Sequence, residues 1–156
     1  CIASTTTSLN LDIKIFQGLV MPLIEWTAEL SVGIDSIDEQ HKKLVNMINA
    51  LNDAMLLGES NELLGRIFTG LAAYTQKHFA YEENMFAEYN YPDSQEHKRQ
   101  HSELITQVVE LKEKFIENPQ GTISADLMLF LKRWLTNHIM RTDKEYTDFL
   151  MAKGVK

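Results

Sequence analysis

The sequence predicts an all-α protein: an up-down-up-down antiparallel four-helix bundle with an N-terminal arm. Three observations predict it. Apolar residues recur at helical spacing in four separate stretches, short breaks containing Gly, Pro or Ser divide them, and the period-two alternation of strands is missing. Short connections make consecutive helices antiparallel neighbours. At 156 residues the chain can bury one proper core but not two comfortable ones.

The first helix is expected after Ser36-Ile37-Asp38-Glu39, a capping-box pattern with Ser36 as N-cap. Its inward stripe is Leu44, Val45, Ile48, Leu51 and Met55, and Gly58 stops it. Ser60 caps the second, which carries Leu64, Ile67, Phe68, Leu71, Thr75 and Phe86 and ends before Pro92, whose ring disfavours helical geometry at Tyr91. Asp93 or Ser94 caps the third, with Leu104, Ile105, Val108, Leu111 and Phe115 inside; Asn118-Pro119-Gln120-Gly121 breaks it. Ser124 caps the fourth, lined by Leu127, Leu131, Trp134 and Leu135 and followed by Tyr146, Phe149 and Leu150. Residues 1–20, rich in Ser and Thr and then mildly apolar, are expected to be an extension outside the fold, leaving 21–156 as the folded domain.

Composition narrows the function. A net charge of −7 with no basic stripe argues against a nucleic-acid partner. No apolar stretch approaches the roughly 20 residues of a membrane span. The single cysteine, Cys1, offers neither an internal disulfide nor a thiolate cluster, so the cytoplasm is the expected compartment.

The chemistry sits in five histidines: His41, His78, His97, His101 and His138, each within reach of the inward stripe of its helix. One such histidine is ordinarily a hydrogen-bonded core residue. Five need partners that these stripes do not offer. His78 with Glu82, and His97 with His101, are i, i+4 pairs that share a helix face. His138 and Asp143 are five apart, about 140° out of phase on a regular helix, so they converge only if the helix widens locally near Arg141-Thr142 as a π-bulge. In antiparallel packing the early positions of helices one and three lie level with the late positions of helices two and four, which puts all seven side chains in one layer. Imidazole with carboxylate suits iron, zinc or manganese. Seven donors exceed one tetrahedral site. Two metals sharing both carboxylates, with three histidines on one and two on the other, accommodate them, and a bridging oxygen brings coordination to about six and five.

With Trp26, Gly33, Ile37-Asp38-Glu39-Gln40-His41, His78-Phe79, Glu82-Glu83, Tyr91-Pro92, His97, His101, and Trp134 through His138 to Asp143 and Tyr146, the chain resembles the hemerythrin family, in particular the bacteriohemerythrins, over about residues 24–150. The resemblance implies two non-haem iron ions. His97, His101 and His138 would hold the six-coordinate iron and His41 and His78 the five-coordinate one, with Glu82, Asp143 and an oxo or hydroxo group bridging. It implies reversible dioxygen binding, with O2 held as hydroperoxide on the five-coordinate iron, rather than enzymatic catalysis. No side-chain acid or base is then needed, and no spare titratable group is expected on the inward faces. Phe79, Trp134, Leu135, Ile139 and Tyr146 are the expected pocket walls, apolar so as to exclude water.

Smaller expectations follow. Glu83 should be a solvated surface residue, Asp38 and Glu39 should serve the N-terminus of the first helix, and the methionines should fill core gaps. A carrier, storage or delivery role makes dioxygen the guest, an O2-consuming enzyme a recipient, and the chain a monomer. The competing readings are an O2 or redox sensor, an iron store, and a di-iron oxidase; the last is disfavoured because no Glu-x-x-His motif occurs.

Overall fold

A computed structural model describes residues 21–118 and 123–156. The predicted extension, residues 1–20, and the breaker segment 119–122 therefore lie outside the described residues. Helices α1 (Asp35–Leu56), α2 (Asn61–Tyr89), α3 (Ser94–Glu117) and α4 (Ala125–Asn137) form the bundle. A π-helical turn, His138–Asp143, joins α4 without a break to α5 (Lys144–Ala152), so the fourth rod is one helix with a widened turn in it. The packed pairs are α1 with α2, α2 with α3, and α1 with α4, as expected of an antiparallel four-helix bundle. Among the described residues no helix is long and apolar enough to cross a membrane.

The stripes face inward as their spacing requires. Leu44, Ile48 and Leu51 of α1, Phe68 and Leu71 of α2, Val108 of α3, Leu131 of α4 and Leu150 of α5 are fully buried. The third stripe is thinner than expected: Leu104, Ile105 and Leu111 are only half-buried against the core. The N-terminal arm docks on α1 through a reciprocal pair, Ile24 N–H to Asn49 Oδ1 at 2.9 Å and Asn49 Nδ2 to Ile24 O at 2.8 Å. Ile24, Leu30, Val32 and Ile34 of the arm are buried.

Helix ends divide into those read correctly and those not. Ser60 accepts from Leu63 N–H at 3.3 Å and Ser124 from Leu127 N–H at 3.2 Å, as N-caps should. Ser36 is not the N-cap of α1. The helix begins one residue earlier, at Asp35, with Ile34 in the cap position and no capping side chain. Asp38 instead reaches back over the helix start, accepting from Val32 N–H at 2.8 Å and from the Ser31 hydroxyl at 2.5 Å, which ties the arm down. Glu39 is exposed and pairs with Lys42. Asp93 occupies the N-cap position of α3 but its side chain makes no capping hydrogen bond. At the end of α2, Asn90 takes the left-handed conformation (φ 55°) and Tyr91 N–H closes on Phe86 O at 2.9 Å, so the chain turns just ahead of Pro92.

Candidate metal centre

Each rod of the bundle contributes to one buried cluster. His41 comes early in α1, His78 and Glu82 late in α2, His97 and His101 early in α3, and His138 and Asp143 span the π turn. All seven are buried, Glu82 and Asp143 completely. The widened turn brings Asp143 onto the face of His138, with Nε2 and Oδ1 2.9 Å apart.

The donor atoms fall into two groups. Glu82, His97, His101, His138 and Asp143 form one, and His41, His78, Glu82 and Asp143 the other; within each, donor atoms lie within 4.8 Å of one another. The two carboxylates belong to both, and they divide their oxygens between them. Glu82 Oε2 faces His101 Nε2 at 3.1 Å and His97 Nε2 at 3.8 Å, while Oε1 faces His78 Nε2 at 3.5 Å and His41 Nε2 at 3.8 Å. Asp143 Oδ1 faces His138 and, at 3.1 Å, His97, while Oδ2 faces His41 Nε2 at 3.2 Å. Donors about 2.1 Å from a shared ion and at right angles to each other stand roughly 3.0 Å apart. The closer separations, 2.9 to 3.2 Å, suit ligands gathered around two ions.

Hydrogen bonding points the same way. Nε2 of His97, His101 and His138, Oε2 of Glu82 and both oxygens of Asp143 are buried without a hydrogen-bond partner, although several lie at hydrogen-bonding distance from one another. Their directions miss each other. Buried polar atoms are rarely left this way, and lone pairs that converge on a common point suit a cation there.

Two of the outer ring nitrogens are held, whereas Nδ1 of His41 is buried without a partner and the inner Nε2 atoms of His41 and His78 lie 3.1 Å apart. His78 Nδ1–H donates to Gln40 Oε1 at 3.0 Å and His101 Nδ1–H to Glu83 Oε1 at 2.9 Å, which leaves each Nε2 lone pair facing inward. Phe79 stacks on the His101 ring at 3.8 Å between centroids and 5° between planes. Two expectations are corrected here. Glu83 is not simply a solvated surface residue, because its carboxylate holds a histidine. A titratable group does lie on the inward face: the Tyr146 hydroxyl donates to Glu82 Oε1 at 2.5 Å. Gln40, Glu83 and this hydroxyl were missed because each acts across a helix interface, where spacing along one helix carries no signal; adjacency to His41 and Glu82 was the only hint.

The cluster's electrostatics are uneven. Burial alone would raise the carboxyls of Glu82 and Asp143, but the surrounding imidazoles hold both well below the usual carboxylate range. Burial would likewise depress His97, yet the facing Asp143 and Glu82 carboxylates push it up to about 9. His41 is also raised, against its burial, by Asp143 and then Glu82. His78 is lowered to about 4, chiefly by burial. Tyr146 is pushed up by burial and by the two carboxylates, so it stays a donor.

The sequence profile of the Hemerythrin HHE cation binding domain matches residues 32–150, a span that contains all seven donors. The chain belongs to the hemerythrin family. Its hemerythrin relatives include the bacteriohemerythrin of Stenotrophomonas maltophilia (strain R551-3), 36% identical over 132 residues that cover 85% of this chain and 84% of the relative. The bacteriohemerythrin of Methylococcus capsulatus (strain Bath) is 33% identical over 133 residues, covering 85% of this chain and all of the relative. A crystal structure of wild-type hemerythrin superposes with a TM-score of 0.75 at 31% identity, over 81% of this chain and 96% of that one. As a hemerythrin domain, the chain has a cluster whose shared carboxylates and unpartnered nitrogens suit a two-metal site.

Proposed function

We propose that this chain binds dioxygen reversibly at a non-haem di-iron centre held by His41, His78, Glu82, His97, His101, His138 and Asp143, as a carrier, store or local supplier of O2. One observation carries the reading. The two donor groups share Glu82 and Asp143 but are unequal, five donors against four, so the position beside His41 and His78 has fewer protein ligands and room for a guest. Held by these seven residues, a pair of ferrous ions would supply the two-electron redox chemistry that reversible O2 binding requires.

The protein's own part is to hold, orient and exclude. Gln40 and Glu83 fix two of the imidazoles by their outer nitrogens. Tyr146, wholly buried, keeps its proton and directs it at Glu82 Oε1, which aligns that carboxylate between the two sets. Phe79, Trp134, Leu135 and Ile139 are buried and apolar and would line the guest's pocket, Phe79 against the rings of His78, His101 and His138. Water is kept from the site by these walls, which slows loss of a reduced oxygen species. The family's printed description, a cation binding domain, and relatives named bacteriohemerythrin support the reading.

The test is anaerobic reconstitution with ferrous iron, followed by admission of O2 while the visible spectrum is recorded. A charge-transfer band that appears with O2 and fades on its removal is the expected result. Irreversible oxidation without such a band, or rapid O2 consumption driven by an added substrate, would reject reversible carriage.

A further inference from the structure

His78 and His101 both donate Nδ1–H to a side-chain oxygen, but the two acceptors differ in charge. For His101 it is the carboxylate of Glu83, at 2.9 Å; for His78 it is the amide of Gln40, at 3.0 Å. The two histidines also belong to different donor groups, His101 to the one with three imidazoles and His78 to the one with two. We propose that Glu83 and Gln40 are positioning residues that make the two metal positions electronically unequal: the Glu83 carboxylate on His101 favours the oxidised ion in the three-histidine set, and the Gln40 amide on His78 leaves the two-histidine ion the easier one to reduce. This rests on the di-iron reading above.

The physical basis is the way an imidazole passes charge across its ring. A carboxylate draws the Nδ1 proton toward itself, the ring gains anionic character, and Nε2 becomes a stronger donor to a metal, which stabilises the higher oxidation state. An amide oxygen orients the ring equally well but adds no net charge. The Glu83 contact is built to persist. The His101 ring is buried, Phe79 is stacked flat on it, and Glu83 follows the donor Glu82 directly on α2, so its reach to α3 is set by the same helix turn that aims Glu82. Gln40 directly precedes the donor His41 on α1 and reaches across to α2. Each of these neighbours serves a histidine on the next rod.

The test is a potentiometric titration of the two-iron protein, with Mössbauer spectra of the half-reduced form to tell the two ions apart. Glu83→Gln keeps an acceptor of the same size without the charge. It should weaken the ferric-over-ferrous preference of the three-histidine ion about tenfold, which raises that one-electron step by about 59 mV, and should move the other step much less. Gln40→Glu should lower the step of the two-histidine ion. Glu88→Gln removes an exposed charge from the same helix, and should move neither step. Equal shifts of both steps in Glu83→Gln, or shifts no larger than in Glu88→Gln, would overturn the proposal. The metal-free protein gives a readout that needs no iron: a downfield, slowly exchanging Nδ1–H proton of His101, present in the wild type and in Glu83→Gln and lost in Glu83→Ala. Its absence from the wild type overturns the contact on which the proposal stands. A wild-type chain that cannot hold two irons overturns the di-iron reading instead, and the proton signal separates the two failures.

Discussion

Glu82 faces four of the five histidines and accepts from the Tyr146 hydroxyl. Glu82→Ala removes an oxygen from each donor group at once. Iron bound per chain should fall below two, with at least a roughly tenfold loss of affinity, the lower bound seen when even outer partners of metal ligands are removed. Iron analysis after anaerobic loading checks this, and two irons retained would contradict the shared-carboxylate assignment. At this scale the sequence was informative where function follows from position along one helix. That these seven side chains gather in one cluster was legible because a side chain's face is fixed by its phase. Glu83 was misread because its partner lies on another helix, and whether a charged side chain next to a donor turns outward or across the seam depends on how the two rods are rotated. The Tyr146 hydroxyl was hidden similarly: phase placed the ring inside but not the atom to which its oxygen donates.

Helix by helix, the π turn is the feature with the most consequence. A regular helix would carry Asp143 away from His138, and the extra residue in the turn restores the phase. Deleting Met140, which is 41% exposed within that turn, should let the segment close as an α-helix with His138 and the aspartate four apart, the relation His78 and Glu82 already use. The deletion variant should keep two irons, whereas deleting Lys132 from regular α4 should abolish loading; metal analysis of the two distinguishes them. The caps allow a second contrast. Ser60→Ala removes a real capping bond and should cost about 1 kcal/mol, a loss of roughly 2–4 °C in melting temperature. Ser36→Ala should be close to neutral, because Ser36 lies inside α1 and caps nothing. That cap was misplaced because Ser-x-x-Glu is a local pattern, while the start of α1 is set by the buried Ile34 and by Asp38 gripping the arm.

On the scale of the whole molecule, the bundle has an apolar half and a polar one. Away from the cluster, Leu51, Leu64, Phe68 and Leu71 form a core that needs nothing added. At the other end, five imidazoles and two carboxylates are buried together and six of their atoms that face the cluster lack partners. Stripping the metal should therefore lower the melting temperature sharply. A ligand present at a thousand times its dissociation constant contributes about 4 kcal/mol, which calorimetry with and without chelator would register. An unchanged melting temperature would mean that the polar end is stable on its own. The one-end layer was legible from helix polarity alone, because antiparallel rods leave little choice of level. The thinness of the third stripe was not, since half-burial depends on how far α3 stands off from its neighbours.

Donors drawn from four rods also dictate an order of assembly. The cluster runs from residue 41 to residue 143, and no rod holds more than two of its members. An unfolded chain would have to close several long loops to gather even one donor group, and loop closure is opposed by entropy until other contacts reward it. Early pairing of α1 with α2, α2 with α3, or α1 with the fourth rod can offer three or four donors but no more than three of either donor group, too few to compete with a well-made site. A metal ion should therefore arrive late, sealing a bundle already built by its apolar half, and loading should lag behind collapse of the chain. A protein made this way can wait empty for its metal.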